Sequence, residues 1–409
     1  MQIAITGIGV VSSVGLGAKP FWEALREGRS GASMISTFDT TGFKSRVGAE
    51  VRGFDSAAFV GRKRTRRMAR FSQFASAAAL QAVEDSGLDL KNLDPLRVGT
   101  VVGTAAGDYV YLEEQHQNLL KKGPGHGNPL AVPLIIPNMS SANVGIDLGI
   151  EGPNFGVTTA CATGGHAIGL AALLIRSGMV DVAIAGGSEA AISPLTVNAY
   201  ADMGVLTSRN DDPLRASRPF DRDRDGFLIG EGAGILILER VEHARGRGAE
   251  IYAYLAGSGM TTDAHSVAIP EPEGRSAAAA IKMALRDGGV PAEQIDYVNA
   301  HGTSTVVNDR TETKAIRLAF GAQADKLAVS STKSMIGHTL GAAGAIEAAA
   351  TVLAVKHQIL PPTINYETPD PECDLDYVPK EARDATIRAA ISNSFGFGGQ
   401  NSVLLFTTA

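Results

Sequence analysis

Cysteine is nearly absent from this chain: two in 409 residues, Cys161 and Cys373, far apart in sequence. That excludes a disulfide scaffold and a zinc site built from cysteines alone, and it points to a reducing cytoplasmic setting. Long apolar runs are missing too. The nearest, residues 341–355, is interrupted by Glu347 and too short to span a bilayer, so no membrane association is expected. The first residues, Met1-Gln2-Ile3-Ala4-Ile5-Thr6, lack a basic region ahead of an apolar stretch, so no signal peptide is expected. Positive charge is not in excess. The formal net charge of −6 argues against a nucleic-acid binder.

What is abundant is small: 47 glycines and many alanines, a composition suited to tightly packed α/β layers. The length allows roughly two or three domains with real cores. An apolar, β-branched run at 2–11 reads as a buried strand. Helices are expected at 21–27, 71–86, 107–121 and 167–177, strands at 97–103 and 180–187, and an irregular loop at 124–137. Near residue 250 the pattern restarts, 250–257 resembling 2–9. Helices and strands then alternate to the end. An internal duplication follows, with halves 1–250 and 251–409 and mostly parallel sheets.

Two tempting motifs fail on their context. Gly7-Ile8-Gly9-Val10-Val11-Ser12 nearly matches a dinucleotide fingerprint, but Ser12 replaces the third glycine. Asp221-Arg222-Asp223-Arg224-Asp225-Gly226 opens like an EF-hand, but Gly232 stands where the bidentate Glu is required. Arg62 to Arg70 is the one strongly basic run, either a solvated helix end or a docking patch for an acidic partner.

Four stretches place reactive residue types beside glycines: Thr158 to Gly165 around Cys161; Asn299-Ala300-His301-Gly302-Thr303-Ser304-Thr305; Lys333 to Gly341 with His338; and Asn393 to Asn401 around Phe397. Each marks a strand end, where α/β sheets gather their sites. Cys161 falls at a turn into a helix, where the helix dipole and free N–H groups favour thiolate. One cysteine and two histidines give a nucleophile with two proton-handling or hydrogen-bonding groups. The chemistry alone leaves a thiol-dependent acyl transferase, a cysteine hydrolase and a structural protein all open.

These same stretches, with Ser208 to Pro213, Ser217 to Asp221 and Gly230 to Gly234, resemble the motifs of the β-ketoacyl-acyl-carrier-protein synthases, nearest the elongating, type II-like members. The resemblance covers nearly the whole chain. It implies the thiolase fold: two similar α/β halves stacked as a five-layered αβαβα core about a pseudo-twofold axis, normally a homodimer. The first half, 1–250, would carry the nucleophile and the dimer and cap insertions. The second, 251–409, would carry the histidines, the lysine and the gate loop.

Carried onto this sequence, the resemblance makes Cys161 the acyl-holding nucleophile, with the N–H groups of Cys161 and Phe397 as oxyanion hole. His301 and His338 would assist decarboxylation of malonyl-carrier protein, and Lys333 would order the histidines. Phe397 would gate the acyl pocket, with Ala106, smaller than usual, at its floor. Glu312 and Glu347 would organise the site from behind. Arg62, Lys63, Arg66, Arg67 and Arg70 would dock the acidic acyl carrier protein. No cofactor or catalytic metal is implied, although some relatives hold a cation near the positions of Asn299, Glu347, Ser392 and Asn393. Gln400 departs from the family's usual Thr, which bears on loop closure.

Two histidines, not His and Asn, point to elongation. The presence of Cys161 argues against a chain-length-factor subunit, and Cys373, in an acidic loop, does not fit the base of a degradative thiolase. A ketosynthase of a polyketide or other specialised pathway is the nearest alternative, and a non-catalytic binding subunit the alternative of a different class.

Overall fold

The computed structural model describes residues 2–409. Ten strands form one continuous ladder: β1 Ile3–Ser12, β2 Val98–Gly103, β3 Asn154–Phe155, β4 Val182–Glu189, β5 Gly232–Arg240, β6 Ala253–Thr262, β7 Ile295–Asn299, β8 Ala328–Ser330, β9 Ala389–Gly396 and β10 Gln400–Thr407. Their order is β8-β7-β9-β10-β6-β1-β5-β4-β2-β3. Read outward from the centre, each half repeats the same succession: first, fifth, fourth, second and third strand. The halves meet where β1 pairs antiparallel with β6, Ile3 opposite Leu255. Residue 253, three beyond the expected restart, opens the second copy.

Helices cover both faces. In the first half, α1 (Arg70–Ser86) lies on the outer face, and α2 (Thr163–Arg176) follows the Cys161 turn. Their counterparts are α3 (Arg275–Gly288) and, after a neighbouring α4 (Val306–Phe320), α5 (Ala343–His357). Helices α2 and α5 pack against each other and against strands of both halves, which makes them the central layer. The composition of α5 fits that place. Ala343 through Val355 are all buried, and a helix apolar all round has no solvent face to offer.

The glycines of the near-dinucleotide motif serve packing. A Cβ on Gly7 would lie 2.2 Å from the Ala82 carbonyl, and one on Gly9 1.8 Å from that of Ala78. Strand β1 can therefore lie close on α1 only without side chains there. The acidic run at 221–225 is also spoken for. Asp221 accepts from the Asp223, Glu367 and Thr368 N–H groups, and Asp225 from Thr207 and Ser208.

Several boundaries differ from the sequence expectation. Helix α2 starts at Thr163, four residues early, because Cys161 lies in a 3-10 turn that runs straight into it. The helix expected at 107–121 is Tyr109–Lys122, begun by Asp108 accepting the Tyr111 N–H. The loop expected at 124–137 contains a short helix, Ala131–Ile135.

Candidate active site

Cys161 sits at the tip of a sharp turn. Ala160 takes a left-handed φ of 49°, the 3-10 segment Ala160–Ala162 follows, and α2 begins. Thr163 Oγ1 accepts the Thr159 N–H at 2.8 Å, and Thr159 Oγ1 meets His166 Nδ1 at 2.8 Å, so the turn is pinned from the helix it enters. The N–H groups of Cys161 and Phe397 both face the sulfur.

The thiolate expectation does not hold for the resting site. Burial pushes the Cys161 thiol up to about 11, against the pull of Lys333 and the two N–H groups. A helix dipole is worth about 0.3–1 kcal/mol, less than the 1.36 kcal/mol of one tenfold change in acidity. Desolvation therefore wins, and the resting residue is a thiol. Because the thiolate fraction grows with pH up to the raised pKa, alkylation of Cys161 by iodoacetamide should accelerate about tenfold per pH unit from 7 to 10. A plateau below pH 9 would contradict this.

The histidines come from the second half. The N–H groups of His301 and Gly302, just past β7, donate to the two oxygens of Glu312 at 2.8 and 2.7 Å, and Asn393 Nδ2 donates to it at 3.0 Å. Glu312 thus fixes the turn that carries His301. Lys333 is buried, ion-paired with Glu347, and its Nζ lies 3.3 Å from His301 Nδ1. His338 Nδ1 accepts the Leu340 N–H at 3.3 Å. Each ring accepts at Nδ1 and so keeps its proton on Nε2. The rings stand nearly perpendicular, centroids 5.3 Å apart. Burial, then the Lys333 ammonium, hold both histidines well below the ordinary imidazole pKa, so both are neutral donors. Burial raises Glu347 to about 7 despite Lys333.

Cys161, His301, His338 and Phe397 line one cavity of about 340 Å³. Phe397 lies in the turn between β9 and β10, its ring 6.4 Å from that of Tyr200. The turn is tied down at Gly398 N–H to Val267 O and Asp263 N–H to Gly399 O, both 2.8 Å. Gln400 opens β10 opposite Gly396. Ala106 stands in the turn after β2 and is not among the residues that line this cavity, whose apolar wall includes Tyr200, Phe227 and Leu340. With Phe397 in its present position, the small side chain adds no room.

The basic run divides. Arg62, Lys63, Arg66 and Arg67 are exposed, and among the described residues none forms an ion pair. Arg70 is engaged within the chain. Its guanidinium is held in a bidentate pair with buried Glu231 (3.0 and 2.7 Å) and by the Val51 carbonyl. Arg64 is likewise taken by Asp147 and Asn143.

Sequence reasoning missed Glu189, a fully buried carboxylate at the end of β4 that accepts from Thr104 Oγ1, Ala105 N–H and Gly341 N–H. The available signal was a carboxylate closing an apolar, glycine-rich strand. His166 was missed too: it falls between the Cys161 stretch, which ends at Gly165, and the helix expected from 167, whereas the helix in fact begins at Thr163 and includes it. Among the described residues, no group of three or more His, Cys, Asp or Glu is placed to hold a metal. Four oxygens at the foot of the site are nonetheless buried without a partner: Asn299 Oδ1, Glu347 Oε2, Ser392 Oγ and Asn393 Oδ1.

Residues 1–244 match the N-terminal domain of beta-ketoacyl synthase and residues 252–367 its C-terminal domain. The chain belongs to the β-ketoacyl synthase family. This β-ketoacyl synthase is 49% identical over 405 residues to 3-oxoacyl-[acyl-carrier-protein] synthase 2 of Synechocystis sp., covering 99% of this chain and 97% of that one. It is 46% identical over 407 residues to the protein of the same name from Vibrio cholerae, covering 99% and 98%. Among solved structures it resembles the ishigamide ketosynthase/chain length factor, with a TM-score of 0.94 at 38% identity over 100% of this chain and 99% of that one. A type II PKS acyl-carrier protein in complex with its ketosynthase, bound to a hexaketide, gives 0.93 at 36% identity, again over 100% and 99%. The β-ketoacyl synthase has the expected thiolase-like fold. No helix among its described residues is long and apolar enough to cross a membrane.

Proposed function

We propose that this β-ketoacyl synthase catalyses the decarboxylative condensation of an acyl thioester with malonyl-acyl-carrier protein in fatty acid elongation. The observation that carries this reading is a thiol and two neutral histidines, both holding their proton on Nε2, around one cavity. A cysteine hydrolase needs a histidine that accepts the thiol proton. Here the nitrogens that could accept are already used.

In the first stage Cys161 Sγ attacks the acyl-carrier thioester. The carrier's C–S bond breaks, and the thiol proton ends on the carrier sulfur. The N–H groups of Cys161 and Phe397 meet the transient oxyanion. In the second, malonyl-carrier enters beside the histidines. Its carboxylate leaves as CO2, and the electron pair left behind forms an enolate whose oxygen is met by Nε2–H of His301 and His338. The enolate carbon attacks the acyl-Cys161 carbonyl. Cys161 leaves as thiolate and takes one proton from solvent. Lys333 holds His301 in the donating tautomer and supplies positive charge beside the enolate. Swinging of Phe397, on a turn with two glycines at positive φ, would open space for the acyl chain toward Ala106.

The acidic carrier would dock on Arg62, Lys63, Arg66 and Arg67, the free part of the basic run. A homodimer is supported by the exposed edge strand β3, where Phe155 offers an apolar side chain beside unpaired backbone. Two free, buried cysteines support a cytoplasmic location. The four orphaned oxygens fit a cation, which Asn299, Glu347, Ser392 and Asn393 would hold and which would neutralise the buried carboxylate. Thermal unfolding should then rise by a few degrees in potassium chloride over choline chloride at equal ionic strength; identical curves would remove the site. Intact-mass analysis after incubation with acyl-carrier protein tests the function itself. It should show one acyl group per chain, mapped to Cys161; an unmodified chain that binds carrier would favour a non-catalytic subunit.

A further inference from the structure

The Cys161 turn has a counterpart in the second half. Leu340–Ala342 is also a 3-10 segment, it opens on a left-handed residue (Leu340, φ 48°), and it leads into the other central helix, α5. Leu340 thus stands for Ala160, and Gly341 for Cys161. Strands β4 and β9 correspond in the same way. Glu189 pairs with the first residue of β5, Gly232, as Gly396 pairs with the first of β10, Gln400. Glu189 therefore stands for Gly396.

The two copies have opposite fillings. In the first, Gly396 faces the Cys161 turn, where a Cβ would lie 3.2 Å from the Cys161 nitrogen and 2.7 Å from the Thr159 carbonyl. The missing side chain leaves the Cys161 N–H free to serve the sulfur. In the second copy that space holds a carboxylate. Glu189 Oε2 takes the Gly341 N–H at 3.0 Å and the Ala105 N–H at 2.8 Å, and Oε1 takes the Thr104 hydroxyl at 2.8 Å. The Ala106 N–H also points at it. A Cβ on Gly341 would fall 2.6 Å from Glu189 Oε2 and 2.3 Å from the Ala105 nitrogen, so the cradle closes only around glycine.

The next N–H back along the chain, that of Leu340, is the one that holds His338 Nδ1. We propose that Glu189 is a positioning residue for the condensation: it plugs the second half's copy of the Cys161 turn, fixes Gly341, and thereby keeps the Leu340 N–H on His338 Nδ1. With Gly341 held, His338 presents Nε2–H to the cavity. The carboxylate has no role as a base here, since its oxygens already face four donors and it lines no part of the cavity. The inference rests on the reading that His338 serves the enolate oxygen.

The test uses the full-length enzyme and Glu189→Gln, which keeps the volume but offers the cradle an amide in place of four-donor acceptance. Three quantities are read: the rate of Cys161 alkylation by iodoacetamide, the condensation rate with malonyl- and acyl-carrier protein, and the histidine tautomers from long-range 1H–15N spectra of 15N-histidine enzyme, with His338 assigned through His338→Asn. Alkylation should stay within about twofold. Condensation should fall about tenfold to a hundredfold, the scale of a small misplacement of a reacting group. His338, Nε2–H in the unaltered enzyme, should become a tautomer mixture. Unchanged condensation and tautomer, or equal losses of alkylation and condensation, would overturn the proposal. If Glu189→Gln does not fold, the unaltered enzyme still decides, because a His338 protonated on Nδ1 contradicts the proposal by itself. A His338→Ala enzyme that condenses normally would instead remove the function assigned to His338. A dead His338→Ala beside an active Glu189→Gln would remove this inference alone.

Discussion

Replacing Cys161 by Gln should abolish condensation and leave malonyl decarboxylation in place. The two stages use different groups. In the proposed mechanism Cys161 holds the acyl chain, whereas the Nε2–H groups of His301 and His338 and the Lys333 ammonium act on the malonyl unit. The histidine turns do not depend on the thiol: Glu312 holds one, and Leu340 N–H with Glu189 orders the other. The Gln side chain is neutral, and its carbonyl can take the N–H groups of Cys161 and Phe397 that face the sulfur. Condensation should drop at least about 10³-fold, as expected for loss of a covalent nucleophile. Release of CO2 from malonyl-carrier should persist. A Cys161→Gln enzyme that still lengthens acyl chains shows that the nucleophile is elsewhere.

The second large effect is expected at Lys333. Its side chain is 1% exposed and its partner Glu347 is 0% exposed. Lys333→Met removes the charge and leaves a buried carboxylate whose other oxygen already lacks a partner. Breaking such a pair from one side costs about 3–5 kcal/mol. The cost should depend on pH. Burial raises the Glu347 pKa in the folded state, so folding favours its protonated form, and without Lys333 that preference is stronger. The destabilisation should therefore be mild near pH 5 and grow as pH rises through 7 and 8. His301 Nδ1 loses its donor as well, so its proton is no longer confined to Nε2, and condensation should fall about a hundredfold. The double variant Lys333→Met/Glu347→Gln separates these effects: it should regain most of the stability and none of the condensation. A single variant that melts with the unaltered enzyme, or a double variant that condenses normally, would contradict the role given to Lys333.

Much of this architecture was legible because the relevant signals are local. The buried strand, expected at 2–11 and found at 3–12, the restart, expected near 250 and found at 253, and the cysteine, histidine, lysine and phenylalanine turns each occupy a few consecutive residues. What escaped depends on partners distant in sequence. Arg70 looked like part of a docking run, but its carboxylate, Glu231, comes from the segment that opens β5. Cys161 looked acidic from its helix, yet apolar neighbours from both halves desolvate it, and desolvation outweighs the dipole. Glu189 gave no motif because its donors, Thr104, Ala105 and Gly341, lie in two other segments that only the pseudo-twofold arrangement brings together.

The most direct test of the central claim is a single turnover with the enzyme first acylated on Cys161 and then mixed with malonyl-carrier protein carrying 13C at the methylene carbon. The account predicts a 3-oxoacyl-carrier product two carbons longer than the starting chain, labelled between its two carbonyl groups, with one CO2 released per product and Cys161 returned unmodified. Free fatty acid with unlabelled carrier, or acyl-Cys161 that survives while CO2 is released, would contradict it.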